Sequence, residues 1–259
     1  MTTRVVLVTG GTGDLGRQLV PALAAAGHTP RVMSRHTAPD RIVADLSTGS
    51  GLADALRGVD VVVHLASDSQ GDFRAVDVDG TGRLVRACRE EGVGHLLYVS
   101  IVGVDVNPLG YYRAKHDAER IITRSGLPYS IVRAAQFPTL ITAVLRRCRH
   151  GPVCLAPARI AAEPVAIEDV AAHLVGLVER GPTGAVREFV GPEKLTVRRM
   201  AKQWLRARGK HALVVPVWLP GRVAKAFRAG SNVGGADAER GGTTLAEWLA
   251  GHPDSQRTR

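Results

Sequence analysis

The segment VTGGTGDLGR, residues 8–17, constrains the fold more than any other part of the sequence. It directly follows the apolar run RVVLV and opens a segment with helical periodicity that ends near Gly27. Gly10, Gly13 and Gly16 recur at every third position. Glycines between a strand and a helix allow a tight turn, and they let a pyrophosphate approach the backbone N–H groups at the helix N-terminus. In this strand–turn–helix setting the pattern predicts a dinucleotide site, although such a spacing alone is weak evidence in a chain with 29 glycines.

Strand-like and helix-like segments alternate through the first half of the chain. The runs that predict strands include RVVLVTG, TPRVMSR, DVVVHLAS, GHLLYVSIVG and PYSIVRAA, and FRAVDVDGTGRLVRACREEG predicts one long helix. This alternation is typical of βαβ units around a parallel sheet. After about residue 136 helices predominate, and we expect no separate sheet there. The sequence predicts an α/β fold with a doubly wound parallel (Rossmann) sheet over residues 1–136, and a small, mostly helical substrate lobe over residues 137–259 that does not fold independently.

The chain is strongly basic, with a formal net charge of +10. The positive residues are mostly arginines spread through the chain, and clusters such as 146–150 and 197–210 are interrupted by apolar residues at helical spacing. This favours solvated helix faces over a nucleic-acid surface, and we expect no specific nucleic-acid partner. Positive charge also attracts phosphate-bearing small molecules, so the charge alone does not distinguish DNA from a dinucleotide.

Several other classes of protein are disfavoured. No apolar run approaches the length of a membrane span, and the N-terminus does not resemble a signal peptide. The three cysteines form no C-x-x-C pair and the nine histidines are scattered without ligand spacing, which predicts neither a disulfide framework nor a metal site. We expect a cytoplasmic protein without a membrane partner, and oligomerisation stays open.

The end of the second predicted strand bears on the type of dinucleotide. NAD-binding forms of this fold usually carry Asp or Glu there, to bind the ribose 2′-hydroxyl. This chain has Ser34 and Arg35 instead, which suit a 2′-phosphate and predict NADPH; an ordinary exposed arginine is the alternative. The residues expected to hold the cofactor are Gly10, Thr12, Gly13, Asp14, Leu15, Gly16, Ser34, Arg35, Asp45, Leu46, Leu65, Ala66 and Ser67.

The segment YYRAKHDAER, residues 111–120, offers two adjacent tyrosines as proton donors. Tyr111 shares a helix face with Lys115, four positions on, whereas Tyr112 shares its face with His116. An ammonium at ~4 Å supplies on the order of 4 kcal/mol at an effective dielectric of about 20, which is about enough to move a tyrosine pKa from about 10 to about 7. The spacing therefore favours Tyr111 as the donor and a packing role for Tyr112.

Together these motifs resemble the short-chain dehydrogenase/reductase superfamily, in its atypical branch of NmrA-like proteins and NAD(P)H-dependent quinone reductases. The resemblance is carried by TGGTGDLG, by VSIVGVD with Ser100, by the spacing of Tyr111 and Lys115, and by IVRAAQF and EPVAIEDVA, and it covers roughly residues 4–180. It implies bound NADP(H) and a reduction centre of Ser100, Tyr111 and Lys115, with Lys115 also holding the cofactor ribose. The best-known branch has Asn-Asn-Ala-Gly after the fourth strand, where this chain has HLAS. In addition, the helix expected over 73–91 has no asparagine to serve as that branch's fourth catalytic residue.

The function expected on these grounds is an NADPH-dependent reductase that transfers a hydride to a carbonyl or quinone-like small molecule. Phe137, Pro138 and Leu140 are candidates for the substrate pocket, and ordinary core packing is an equal alternative for them. A second class of function is a non-catalytic, NADP-sensing NmrA-like regulatory protein, which would bind the cofactor without turnover. The glycine-rich segment 229–242 predicts a loop or lid.

Overall fold

The computed structural model describes residues 2–68 and 71–253. Its strands are β1 Val5–Thr9, β2 Thr29–Ser34, β3 Arg41–Val43, β4 Val61–His64, β5 His95–Ile101, β6 Tyr129–Ala134, β7 Arg149–His150, β8 Val153–Pro157, β9 Ala161–Ala162, β10 Val186–Val190, β11 Leu195–Thr196, β12 Leu213–Val217 and β13 Glu239–Arg240. Its α-helices are α1 Asp14–Ala25, α2 Leu52–Leu56, α3 Thr81–Glu90, α4 Gly110–Thr123, α5 Pro138–Cys148, α6 Ile167–Arg180, α7 Val197–Ala207, α8 Arg222–Arg228 and α9 Leu245–Gly251, and a π-helix spans Arg74–Gly80.

The main sheet has eight strands in the order β13-β10-β6-β5-β4-β1-β2-β3. Strand β1 pairs in parallel with β2 on one side and with β4 on the other, so that Val8 lies opposite both Val32 and Val63. The strand order therefore reverses between β1 and β4, and open α/β sheets bind their ligands at the carboxyl ends of the strands beside such a reversal. The fold class predicted from the sequence is confirmed.

The central strands are mostly apolar and buried because helices cover both faces of a doubly wound sheet. Val6, Leu7 and Val8 of β1 are all 0% exposed. The core around Leu7 continues through Val62 and Leu96 on the neighbouring strands. This buried layer fixes the strand ends on which the candidate site is built.

The long helix predicted over residues 73–91 differs in its first half, which is the π-helix Arg74–Gly80, followed by α3. A side chain at Gly80 would place its Cβ 3.0 Å from the Cβ of Leu46, so the helix approaches the chain after β3 as closely as it does because this residue is glycine. The Thr81 hydroxyl donates a hydrogen bond to the carbonyl oxygen of Asp77 at 2.6 Å. Short π segments inside helices are frequent at functional sites.

The described chain forms two compact units. The first comprises Met1–Ser100, Gly110–Arg133 and Val170–Arg187, and the second comprises Ile101–Leu109, Ala134–Asp169 and Glu188–Arg259. Residues 254–259 of the lobe predicted from the sequence lie outside the described residues.

The second unit contains two small sheets of its own, with strand orders β12-β8-β7 and β11-β9. The sequence-based expectation that this part of the chain forms no separate sheet is therefore wrong. Its strands are short, and two of them contain proline, Pro157 in β8 and Pro216 in β12, which weakens the strand signal in the sequence. Helices α5 and α7 pack with these strands around Leu145, Cys154 and Trp204.

The glycine-rich segment is fastened within the second unit by carboxylates. Glu163 accepts hydrogen bonds from the Gly234 amide at 2.8 Å and from Arg240 Nη1 at 3.0 Å. Glu188 accepts one from the Gly235 amide at 2.7 Å. These bonds hold the backbone of the segment in one conformation, because an amide that loses such an acceptor in a partly buried position costs free energy.

We expect Glu163→Ala to release this segment locally. The lost acceptor should cost about 1–3 kcal/mol, which corresponds to roughly tenfold to hundredfold faster hydrogen exchange at the Gly234 amide. The Gly235 amide, bound to Glu188, serves as an internal control, and the exposed Glu193→Ala is the matched variant. Unchanged exchange at Gly234 would show that Glu163 does not hold the segment.

Candidate active site

The turn after β1 has a backbone that only glycine accommodates. Gly10 has φ 68°, and a Cβ there would lie 2.7 Å from the amide nitrogen of Ala66. A Cβ on Gly16 would lie 2.5 Å from the carbonyl oxygen of Gly10. The spacing seen in the sequence thus reflects close approaches between the turn, the start of α1 and the chain after β4.

Helix α1 begins at Asp14, and its N-cap residue Gly13 makes no side-chain capping bond. The first-turn N–H groups of a helix have no partner within the helix and favour an anion. Thr12, Gly13 and Asp14 are exposed, whereas the side chain of Leu15 is buried, so Leu15 can contribute only its backbone. This end of the helix fits the pyrophosphate of a dinucleotide.

The end of β2 places Ser34 and Arg35 as the sequence predicted them, next to each other at the carboxyl end of the strand. The Ser34 hydroxyl accepts a hydrogen bond from the His36 amide at 3.0 Å, which orders the turn. Arg35 is exposed. Its guanidinium is therefore available to an anionic group of a ligand.

Asp45 and Leu46 follow β3. Hydrogen bonds from the side chain and backbone of Ser47 lower the pKa of the Asp45 carboxyl, and the charges of Arg35 and Arg83 lower it further. The carbonyl oxygen of Leu46 accepts a hydrogen bond from Arg83 at 3.2 Å. Asp45 is consequently an anion fixed near Arg35, at the sheet edge where the adenosine half of a dinucleotide is expected.

The chain after β4 is tied to β1 by one hydroxyl. Thr9 Oγ1 accepts hydrogen bonds from the Leu65 and Ala66 amides, both at 3.2 Å, and shares one with His64 Nδ1 at 2.7 Å. Burial lowers the pKa of His64 to about 3, with a smaller contribution from Lys115, so its ring is neutral near pH 7. Residues 65–67, predicted to line the cofactor, are thereby held beside the glycine turn.

A chain of polar contacts joins Tyr111 to Lys115, two residues of the predicted reduction centre. Tyr111 Oη lies 2.7 Å from Ser67 Oγ, and Ser67 Oγ donates a hydrogen bond to Asp77 Oδ1 at 2.7 Å. Lys115 Nζ lies 3.3 Å from the same Asp77 oxygen and donates to the Val99 carbonyl at 3.2 Å. Tyr111 and Lys115 therefore belong to one cluster, connected through Ser67 and Asp77.

The electrostatics of this cluster differ from the expectation that Lys115 lowers the pKa of Tyr111 towards neutrality. Burial raises the pKa of Tyr111 to about 12; the hydrogen bond with Ser67 opposes this, and the Asp77 carboxylate adds to it. Burial lowers the pKa of Lys115, and Asp77 opposes that shift. The main reason for the difference is the burial of the phenol, and the nearby Asp77 carboxylate adds to it.

Ser100 lies on β5 and is only 2% exposed. Its hydroxyl oxygen has no hydrogen-bond partner among residues 2–68 and 71–253. A buried hydroxyl without a partner is costly and uncommon, so it is a position at which a ligand oxygen is readily accepted.

Tyr112 is 7% exposed, and its ring centroid lies 6.5 Å from that of Tyr111 in an edge-on arrangement. Phe73 packs edge-on against the other tyrosine, Tyr111, with centroids 6.3 Å apart. Tyr111 is half-buried and its hydroxyl meets the exposed Ser67. Of the two tyrosines, Tyr111 is the one whose hydroxyl belongs to the polar cluster.

The three predicted substrate residues lie in the second unit. Phe137 is the half-buried N-cap residue of α5, Pro138 is buried in its first turn, and Leu140 is 42% exposed. Among the described residues no group of His, Cys, Asp and Glu is arranged to hold a metal ion. No helix in the described ranges is both long and apolar enough to cross a membrane.

Asp77 is the residue of the cluster that the sequence analysis missed. A signal for it exists, because Asp77, Thr81, Leu84 and Cys88 fall on one stripe of a helical pattern and all four are buried. An acidic residue on the buried stripe of a helix implies a partner for its charge, since unpaired buried carboxylates are very costly.

We expect Gly16→Ala to weaken NADPH binding by at least about tenfold, because the new Cβ collides with backbone atoms of the turn that is predicted to face the pyrophosphate. Gly82→Ala is the matched control: it lies inside α3 with open space around its Cβ and should raise the free energy of unfolding by about 0.5–1 kcal/mol. Binding is measured by titration and stability by chemical denaturation. Wild-type affinity in Gly16→Ala would show that the turn does not approach the cofactor.

Comparisons with known proteins agree with this geometry. A family model described as NAD(P)H-binding matches residues 10–179. A (4-alkanoyl-5-oxo-2,5-dihydrofuran-3-yl)methyl phosphate reductase of Streptomyces griseus is 28% identical over 226 residues, covering 80% of this chain and 74% of the relative. A ceramide reductase of Caulobacter vibrioides is 30% identical over 220 residues, covering 77% of this chain and 67% of the relative.

Quinone oxidoreductase 2 of Escherichia coli is 24% identical over 279 residues, covering 96% of this chain and 94% of the relative. The crystal structure of NADPH-dependent quinone oxidoreductase QOR2 from Escherichia coli, complexed with NADPH, has the same fold, with a TM-score of 0.79 at 20% identity over 95% of this chain and 99% of that one. The family match extends over more than half of the residues, and the resemblance inferred from the motifs is confirmed. This chain belongs to the NAD(P)H-binding family.

Proposed function

We propose that this protein is an NADPH-dependent reductase that transfers a hydride to a carbonyl or quinone-like small molecule, with Tyr111 as the proton donor. The observation that carries the proposal is the Tyr111 hydroxyl, 2.7 Å from Ser67 in a cluster with Asp77 and Lys115. A tyrosine tied into buried charged groups near the carboxyl ends of the central strands has the surroundings of a general acid.

The residues that would hold the cofactor divide by the part of the dinucleotide they suit. The glycine turn and the N-terminus of α1 would bind the pyrophosphate. Ser34 and Arg35 would bind a 2′-phosphate, and Lys115 would bind a ribose hydroxyl. The remaining candidates are Asp45 and Leu46 for the adenine and Leu65, Ala66 and Ser67 along the cofactor. When bound, the reduced nicotinamide supplies the hydride.

The protonation state of Tyr111 favours the direction of reduction. Its pKa of about 12 keeps the hydroxyl protonated near pH 7, so it is present as an acid. The unpartnered hydroxyl of Ser100 would hold the substrate oxygen by a hydrogen bond. The proton of Tyr111 then compensates the negative charge that develops on that oxygen as the hydride reaches the carbon.

The substrate class is inferred from similar proteins. Relatives named as a quinone oxidoreductase and as reductases support a small-molecule acceptor for this chain. We assign cofactor binding to residues 1–136 and substrate contacts to the lobe 137–259, with Phe137, Pro138 and Leu140 as apolar contacts. A regulator of the NmrA-like kind would instead bind NADPH and turn over no carbonyl or quinone in a broad panel.

We expect NADPH to bind more tightly than NADH. A charge-assisted bond from Arg35 to the 2′-phosphate contributes about 1.5–3 kcal/mol, or roughly tenfold to hundredfold in affinity. Both reduced cofactors are titrated into the wild type, Arg35→Ala and Arg124→Ala, an exposed arginine on the chain after α4. Arg35→Ala should lose the preference and Arg124→Ala should keep it; equal affinities in the wild type would remove Arg35 from this role.

We expect Tyr111→Phe to lower kcat by at least about a hundredfold, which is the low end for a lost general acid, with little change in NADPH affinity. Tyr112→Phe removes the hydroxyl of the neighbouring buried tyrosine and should cost far less. Both are measured by steady-state kinetics on quinone and carbonyl substrates, after folding is checked by circular dichroism. A larger loss in Tyr112→Phe would assign the proton to the other tyrosine.

A further inference from the structure

The three-stranded sheet of the second unit has apolar side chains on both of its faces. Strand β12 pairs in parallel with β8, and β7 pairs with β8 on its other side. Because side chains alternate along a strand, every second residue points to the same face. One face belongs to the core of the unit, with Cys154, Ala156 and Val214 at most 9% exposed. The opposite face, which we call the outer face, carries Val153, Leu155, Pro157, Leu213, Val215 and Val217.

The outer face is accessible to solvent although every residue that β8 and β12 place on it is apolar. Val153 lies opposite Leu213 and Leu155 lies opposite Val215, so these side chains form one continuous surface. Leu213 is 68% exposed and Leu155 is 38% exposed, and the other four are half-buried. A sheet that covers a core on one side ordinarily has polar side chains on its solvent side. Contiguous exposed apolar surface marks a place where another surface docks.

Trp218 follows β12 directly and adds an exposed aromatic ring next to this surface. It is 59% exposed, whereas the other two tryptophans, Trp204 and Trp248, are 2% and 4% exposed. The guanidinium carbon of Arg228 lies 3.8 Å from the centre of the Trp218 ring, and Arg228 Nη1 donates a hydrogen bond to the carbonyl oxygen of Leu219 at 2.6 Å. Tryptophan and arginine both combine an apolar body with a polar end, and they suit the boundary between lipid tails and headgroups.

The positive charge of the chain is less evenly spread than the sequence analysis describes. Residues 137–162 and 194–236, both in the second unit, contain 14 Lys and Arg and no Asp or Glu. The remaining residues contain the other 20 of the 34 Lys and Arg and all 24 Asp and Glu, so these two segments account for the whole positive excess. Lys210 precedes β12, Arg159 follows β8 and Lys225 lies on α8, and all three are exposed. Cations therefore flank the outer face along the chain.

From these observations we propose that the outer face, with Trp218 and the basic residues of the second unit, docks this protein on the surface of an anionic lipid membrane. The apolar side chains would enter the boundary between headgroups and acyl chains, while Lys and Arg pair with lipid phosphates. Docking of this kind needs no spanning helix, so it replaces the expectation of no membrane partner, which was drawn from the lack of a spanning run. The inference does not rest on the proposed function, since it involves neither the cofactor nor Tyr111.

Charge distinguishes a membrane from a second copy of this chain as the occupant. In a two-fold dimer the same surface of each protomer meets its equivalent, so the basic residues beside the outer face would approach one another, and like charges brought together are unfavourable. A nucleic acid matches the charge, but its phosphates are contacted by polar and charged groups, which leaves Leu155 and Leu213 without a counterpart. An anionic bilayer offers both an apolar interior and a negative surface.

The first test measures how the full chain partitions onto vesicles in a flotation experiment. The vesicles are phosphatidylcholine alone or phosphatidylcholine with about 30% phosphatidylglycerol. The wild type should bind the anionic vesicles at least about tenfold more tightly than the neutral ones, and less tightly as salt is added.

Two pairs of variants separate the apolar contribution from the charge. Leu213→Ser should lower partitioning by at least about tenfold, because its leucine side chain no longer leaves water on docking. Lys225→Glu should lower it by at least about fivefold. Val106→Ser and Arg89→Glu are the matched controls, since Val106 is 67% exposed and Arg89 is an exposed arginine of α3, and both should bind as the wild type does. Folding of each variant is checked by circular dichroism.

The second test uses the fluorescence of Trp218 in the unaltered protein. On addition of anionic vesicles its emission should shift to shorter wavelength, and lipids brominated on their acyl chains should quench it, because the ring leaves water. Trp218→Tyr should abolish the shift, since Trp204 and Trp248 are already buried. This measurement needs no substitution on the outer face, so it decides even if Leu213→Ser does not fold.

Several results would overturn the membrane proposal. They are wild-type protein that does not float with anionic vesicles, equal binding to neutral vesicles, or Trp218 emission that does not shift. A dimer in analytical ultracentrifugation that Leu213→Ser dissociates, without vesicle binding, would assign the outer face to a second copy. Binding to a DNA duplex that Lys225→Glu weakens and Leu213→Ser does not, again without vesicle binding, would assign the basic surface to nucleic acid. None of these results bears on the reductase, which is judged by turnover.

Discussion

The buried ion pair between Asp77 and Lys115 is the constraint on which the candidate site depends. Both side chains are almost fully buried, and taking such ions out of water costs several kcal/mol each, which their attraction offsets only in good geometry. Lys115 lies on α4 and also bonds the carbonyl of Val99 on β5, while Asp77 lies on the π-helix. One pair thus fixes two helices against a strand end. A desolvation free energy of this size is consistent with a site whose atoms must be held in place.

A second buried ion pair, between Glu119 and Arg133, involves the next turn of the same helix. Glu119 receives two bonds from Arg133, Nε at 2.9 Å and Nη2 at 2.7 Å, and its side chain is 4% exposed. Lys115 and Glu119 are four residues apart, so α4 buries one charge of each sign on a single face and each charge has its own partner. The rotation of α4 about its axis is thereby fixed. Tyr112 is directed into the core, and Tyr111 meets the polar cluster at the surface.

The parts of this arrangement that the sequence predicts are those written in short-range patterns. The glycine turn, the strand that precedes it and the four-residue spacing of Tyr111 and Lys115 depend on neighbouring residues, and the structure contains all three. Ser67 is 44 positions from Tyr111 and 10 positions from Asp77, and no local sequence pattern reveals contacts over such separations. The π-helix ends at Gly80, which closely approaches Leu46, also a distant contact. The small sheets of the second unit were missed because their strands have only two to five residues and two of them contain proline.

Burial explains why the pKa of Tyr111 is raised and not lowered. A lone ammonium beside the phenol would have lowered its pKa and left part of the tyrosine ionised near neutrality. Here burial dominates, the Asp77 carboxylate adds to it, and the hydroxyl keeps its proton throughout the physiological range. The group most sensitive to rising pH in the cluster is then Lys115, whose pKa is lowered by burial. The lysine, rather than the tyrosine, is therefore the first of the two to lose its proton as the pH rises.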